Sequence, residues 1–285
     1  MFFPVERNLA MTLAAACLLA FGLMFPRGAF ALESTWTEAS HAQARLLADS
    51  GSDGPRAGIE IRLEKGWHTY WRYPGDAGVP PKFDWSGSEN LASAKVQWPA
   101  PEKIVDQSGL KSIGYQDRVV FPVTIKPSDP GLPIKLRLKI DFAVCEKLCV
   151  PADAAMELEI PQESSDLSEI LEQAESLVPR QAVLGQDTDK PGMLSVASIR
   201  IEHGDKPRAI ISVSAPEGSA PRLFAEGPND KWALPLPEKI GTSDGLTQFA
   251  LPFEGAPPGV KPIPKKLVVT LAADTDAVEV EIPLE

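Results

Sequence analysis

Thiols and imidazoles are scarce in this sequence. Three cysteines and three histidines occur among 285 residues. There is no GxGxxG and no GxxxxGKS/T stretch, so the phosphate-cradling loops of nucleotide-binding folds are excluded. Long apolar runs are as rare: beyond residues 9–25, none is long enough to span a bilayer. Positive charge is also short. Lys and Arg number 28 against 39 Asp and Glu, and the net charge of −11 repels nucleic-acid phosphate and anionic lipid. Nucleic acid is therefore not an expected partner. No small-molecule substrate is indicated, and no organic cofactor is called for.

What the chain has in excess is punctuation. Its 28 prolines are about double the usual share, and 21 glycines accompany them. That favours many short strands and turns over long helices. The length is a soft prior for about two domains. At the N-terminus, Arg7 precedes the apolar run, and Ala29-Phe30-Ala31 follows as a small-x-small cleavage site. Residues 1–31 therefore read as an export signal, with a mature chain starting near Leu32. An uncleaved membrane anchor is the alternative. Ala14 stands where a lipidation signal around Cys17 would want Leu. If the signal is removed, Cys17 leaves with it, and Cys145 and Cys149 remain.

Hydrophobic alternation places strands at residues 42–48, 58–63, 119–125, 134–142 and 155–160. Pro122 suggests an edge or a bulge. Between the second and third lies an aromatic stretch, residues 67–98, that reads as strands and ordered loops carrying either lids or core packing. Residues 161–178 read as a helix, with Leu167, Ile170, Leu171 and Ala174 on one face. Residues 179–192 read as a linker. Further strands are expected at 194–202, 209–213, 222–225, 247–252, 266–272 and 277–282. The resulting expectation is all-β: two immunoglobulin-like β-sandwich domains, residues 32–160 and 193–285, joined by a short helix and linker at 161–192.

The chemistry concentrates in Cys145-Glu-Lys-Leu-Cys149, between the strands at 134–142 and 155–160. On a straight strand, residues four apart lie about 13 Å from each other. A disulfide needs Cα atoms roughly 4.4 to 6.8 Å apart. A hairpin with Glu146, Lys147 and Leu148 at its tip would bring the cysteines together. Three readings stand at this point. As a staple, the pair would close about five residues and yield only about 2 kcal/mol. As a redox centre, it would be an accessible short-loop pair, with Lys147 favouring a thiolate and Glu146 opposing it. As a soft-metal site, it could hold Cu(I) with His68 as the third ligand, whereas zinc lacks the further ligands it needs. A nucleophilic triad of either cysteine with His68 has no support in the spacing.

Several segments resemble a known family: GWHTYWRYPGD at residues 66–76, QWPAP at 97–101, GY at 114–115 with VFP at 120–122, and VCEKLCVP at 144–151. Together, residues 66–158 are similar to the N-terminal periplasmic domain of the thiol:disulfide interchange protein DsbD family, in its ScsB-like, copper-sensitivity-suppressor version. The resemblance implies an immunoglobulin-like sandwich in which Cys145 and Cys149 exchange disulfides as a protein-disulfide reductase. It implies thioredoxin-like periplasmic proteins and a membrane electron donor as partners. It also implies an aromatic cap over the pair, for which Tyr70, Trp71 and Tyr73 are the candidates. Full-length members continue into a multi-span membrane domain and a thioredoxin-like domain, and neither is in this sequence. Separate proteins would then supply electrons, or the domain would serve another role such as copper handling.

Overall fold

Alternation of apolar and charged side chains is clearest in the strands Lys135–Cys145 and Cys149–Glu159. The computed structural model describes residues 32–51, 54–106, 109–160, 168–188, 190 and 192–284, all within one compact unit. The strands of the N-terminal half are β1 (Thr37–Ala39), β2 (Ala42–Gly51), β3 (Gly54–Leu63), β4 (His68–Gly75), β5 (Lys82–Asp84) and β6 (Leu91–Val96). They continue with β7 (Glu102–Val105), β8 (Lys111–Gln116), β9 (Arg118–Pro127), β10 (Lys135–Cys145) and β11 (Cys149–Glu159). Helix α1 (Ser168–Ser176) follows. The C-terminal half holds β12 (Arg180–Ala182), β13 (Ser195–Glu202), β14 (Arg208–Ser214) and β15 (Arg222–Glu226). It ends with β16 (Glu238–Ser243), β17 (Leu246–Pro252), β18 (Lys266–Ala273) and β19 (Asp276–Pro283).

Each half is a β-sandwich. The first pairs a sheet ordered β1-β2-β3-β9-β6 with one ordered β11-β10-β4-β8-β7, β5 joining β10 at the side. The second pairs β12-β19-β18-β15 with β13-β14-β17-β16. In β10, Leu136, Leu138, Ile140 and Phe142 point inward, while Arg137 reaches Glu157 on β11 at 2.6 Å. The inward faces meet in a core that includes Leu46, Ile59, Phe121 and Trp71. Burial of such side chains contributes about 1.5–3 kcal/mol each. Phe224, Leu236, Ala272 and Ala277 of the second sandwich belong to the same buried cluster, so the two halves share part of a core.

Helix α1 starts with Glu169 near its positive end. It seats Leu171 and Ala174 on Leu47 and Val120. The contact needs Gly58, where an added Cβ would lie 2.6 Å from Leu171 Cδ2. Of the helix expected at 161–178, residues 161–167 lie outside the described residues, as does the expected signal at 1–31. No helix among the described residues is long and apolar enough to cross a membrane.

Two expectations change. Part of the segment read as a linker is a strand: Arg180–Ala182 pairs in parallel with β19. Three residues are too few to show a period, so polarity alone made them look like a loop. Pro122 lies inside β9, which is flanked by β3 and β6. The β6 ladder stops one step before it, at Val96↔Val123, and only the Pro122 carbonyl is engaged there, by the Gln97 N–H at 2.8 Å. A missing N–H costs nothing at such a ladder end.

Candidate functional site

The cysteines close the β10–β11 ladder. Cys145↔Cys149 is its last registered pair, and the sulfurs are bonded with Cα atoms 4.2 Å apart. Glu146, Lys147 and Leu148 form an exposed tip. The two cysteines differ in access: Cys145 is 8% exposed, whereas Cys149 is open to solvent.

Strand β4 lies against β10 at this point, with His68 opposite Cys145 and Thr69 opposite Val144. The Thr69 hydroxyl donates to the Ala143 carbonyl at 2.9 Å. Because side chains alternate along a strand, His68 and Tyr70 share the face of the cysteines. Their rings meet edge to face at 5.3 Å. The Tyr70 hydroxyl donates to Cys149 Sγ at 3.0 Å, since a bridged sulfur has no hydrogen to give. Burial raises the Tyr70 phenol above its usual pKa, opposed by a hydrogen bond with Ser112 and reinforced by Asp106. The group therefore stays a donor across the neutral range. Its ring is 1% exposed and packs with Ala143 and Cys145.

A loop after β4 covers the other side of the Tyr70 ring. Gly78, at φ +138°, lies so close that an added Cβ would stand 2.3 Å from Tyr70 Cε1. Gly114 on β8 is equally tight: a Cβ there would meet the Thr69 carbonyl oxygen at 1.9 Å.

Of the three aromatic residues expected near the pair, the structure brings only Tyr70 to the sulfurs. Trp71 is fully buried on the opposite face, 6.0 Å from Phe224 of β15, with the Arg72 guanidinium 4.2 Å over its ring. The Tyr73 hydroxyl donates to the Leu234 carbonyl at 2.6 Å, and burial pushes the phenol up to about 12. The strand pleat separates them, which adjacency in sequence conceals. Gly78 and Thr69 were not singled out from the sequence; the glycine following Asp76-Ala77 is the signal that could have marked the cover.

His68 is 5% exposed, and its Nε2 has no hydrogen-bond partner. Burial lowers its pKa, with Asp106 opposing. It stands across from Cys145, but among the described residues no group of three or more His, Cys, Asp or Glu is arranged to hold a metal ion. The soft-metal reading of Cys145, Cys149 and His68 concerns the reduced pair, and here the two sulfurs are bonded to each other.

The site is thus a bridged cysteine pair at the end of a hairpin in an immunoglobulin-like sandwich. Residues 37–161 match the family model described as thiol:disulfide interchange protein DsbD, N-terminal. The crystal structure of the N-terminal periplasmic domain of ScsB from Proteus mirabilis is similar in fold. Its TM-score is 0.69 at 22% sequence identity, over 89% of this chain and 98% of that one. No curated protein matches the chain. The family resemblance thus covers the first sandwich, and the likeness of fold extends into the second.

Proposed function

We propose that this chain is a periplasmic thiol–disulfide exchange protein that carries electrons between a membrane or thioredoxin-like donor and periplasmic disulfide proteins. The observation that carries the reading is the asymmetry of the pair: Cys149 is open at the hairpin and takes a hydrogen bond from Tyr70, while Cys145 is buried behind it. A donor thiolate attacks Cys149 Sγ, and the intramolecular S–S bond breaks. The electron pair leaves on Cys145 Sγ, which takes up a proton. The second thiolate of the donor then attacks its own bonded sulfur and releases Cys149 as a thiolate, which the Tyr70 hydroxyl stabilises. In the second half-reaction the Cys149 thiolate attacks an acceptor disulfide. Cys145 then resolves the mixed disulfide, and two electrons have moved. Tyr70, backed by the loop at Gly78, covers the buried Cys145 and leaves Cys149 open to the partner.

The surroundings suit a protein partner. Leu148 at the tip is 74% exposed, Val105 at the end of β7 is 56% exposed, and Val79 and Leu110 outside the strands are 52% and 47% exposed. Exposed apolar side chains, Leu148 beside Cys149 among them, fit transient docking of another protein. Export is supported by the signal-like N-terminus and by the periplasmic origin of the ScsB domain.

The test is the reduction potential of the pair in glutathione or dithiothreitol buffers. A value between roughly −180 and −270 mV belongs to exchange proteins, and one below about −300 mV to a structural disulfide. The second result would retire the exchange reading.

A further inference from the structure

Strand β4 leaves its sheet immediately after the redox site. It pairs with β8 at Tyr70↔Gly114 and resumes at Gly75↔Ser112, so five steps on β4 span two on β8. The second sandwich takes hold of the residues between. The Arg72 Nε and Nη2 atoms donate to Glu226 at 2.7–3.1 Å, and Nη2 also donates to Glu279. The Tyr73 hydroxyl is anchored on Leu234. Arg72, Glu226 and Glu279 are 26%, 19% and 17% exposed, so solvent screens the cluster little. The residues just before this excursion hold Tyr70 on Cys149, and those just after it form the loop that Gly78 lays on the Tyr70 ring.

We propose that Arg72 is a positioning residue for the cysteine pair: through it the second sandwich grips the β4 excursion and so keeps Tyr70 and its covering loop in place against Cys149. This rests on the exchange reading for its biological purpose, but the geometry stands without it. Arg72→Gln removes the cation that ties the excursion to Glu226 and Glu279, and so frees it from the second sandwich.

The experiment uses the full chain with the pair reduced by excess phosphine, and follows alkylation by iodoacetamide against pH. The pH midpoint reads the acidity of the Cys149 thiol and not its access. The titratable groups around the thiol are Tyr70 and His68 from β4, which share its face, and Glu146 and Lys147 at the tip of its own hairpin, with Asp106 acting on both Tyr70 and His68 from the loop after β7. Arg72→Gln raises the midpoint by about half a pH unit as the Tyr70 donor drifts away, and Arg72→Lys recovers part of it. In a Tyr70→Phe background Arg72→Gln adds nothing, because both act through one hydroxyl. An unchanged midpoint in Arg72→Gln, or a shift that persists in the Tyr70→Phe background, overturns the proposal. If Arg72→Gln does not fold, Tyr73→Phe, which removes a single neutral hydrogen bond, enters the same cycle under the same criteria. A wild-type pair that glutathione buffers cannot reduce would end the exchange reading alone, since the phosphine-reduced cycle still reports on the grip.

Discussion

The Tyr70 hydroxyl sits 3.0 Å from Cys149 Sγ, on a ring that is 1% exposed although the cysteine itself is open to solvent. A hydrogen bond to a charged acceptor is worth about 1.5–3 kcal/mol, and one pKa unit corresponds to about 1.36 kcal/mol. Tyr70→Phe keeps the ring and removes the donor. The alkylation midpoint of the reduced Cys149 should therefore rise by about one pH unit. A midpoint equal to the wild type would mean that the hydroxyl does not stabilise the thiolate.

The two cysteines should fail in different ways. Cys149→Ser removes the accessible sulfur and should give no mixed disulfide with a thioredoxin-like protein. Cys145→Ser keeps the attacking sulfur but removes its resolver, so a covalent complex should accumulate on a non-reducing gel. Either change should lower stability by only about 2 kcal/mol, as expected for so short a closed loop. Unfolding of both variants would assign the bond to structure.

Gly114→Ala tests the close approach of β8 to β4. Its Cβ would meet the Thr69 carbonyl oxygen at 1.9 Å, an atom of the backbone that cannot swing aside. A loss of about 3 kcal/mol in the urea transition is expected. Gly87→Ala, whose nearest contact is Arg137 Cβ at 3.4 Å, should change stability by no more than about 0.5 kcal/mol. Equal effects at the two sites would contradict the described β4–β8 contact.

Acid stability should depend on Glu60, whose side chain is 0% exposed and accepts from Arg45 and Arg118 at 2.7 Å and Arg62 at 3.0 Å. Burial pushes its pKa up, but hydrogen bonds from Arg118 and Arg45 outweigh that and hold it below the usual carboxylate value. The ionised group therefore stabilises the fold above its unfolded-state pKa, and this contribution disappears as the pH falls through the folded-state pKa. Urea midpoints should drop toward acid, and Glu60→Gln should be weaker by about 3 kcal/mol at neutral pH with a shallower acid decline. An identical pH slope in the variant would remove Glu60 from the account.

Much of the fold was legible where one face is buried and the other wet. The Leu136-Leu138-Ile140 alternation announced β10, and Met156-Leu158 announced β11. The hairpin placing Cys145 opposite Cys149 followed from those two strands. Strands β4 to β6 were hidden inside the aromatic stretch, β7 and β8 fell in a segment where no strand was expected, and β16 is polar and mostly exposed, so no pattern marks it. At the site, the cysteines and Tyr70 were named, but the contact between Tyr70 and Cys149 spans 79 residues of sequence. Trp71 and Tyr73 were grouped with Tyr70 because they are neighbours along the chain. The pleat and the break in the β4–β8 ladder send them to Phe224 and Leu234 instead.

The cysteine pair closes a strand ladder, while the helix among the described residues packs on β3 and β9 of the other sheet. Exchange proteins that set a cysteine at a helix N-terminus borrow acidity from a whole row of aligned peptides. Among the described residues the helix is elsewhere, and the group that reaches the Cys149 sulfur is the Tyr70 hydroxyl, so the exchange proposed for this site would be retuned one side chain at a time without rebuilding the backbone around it.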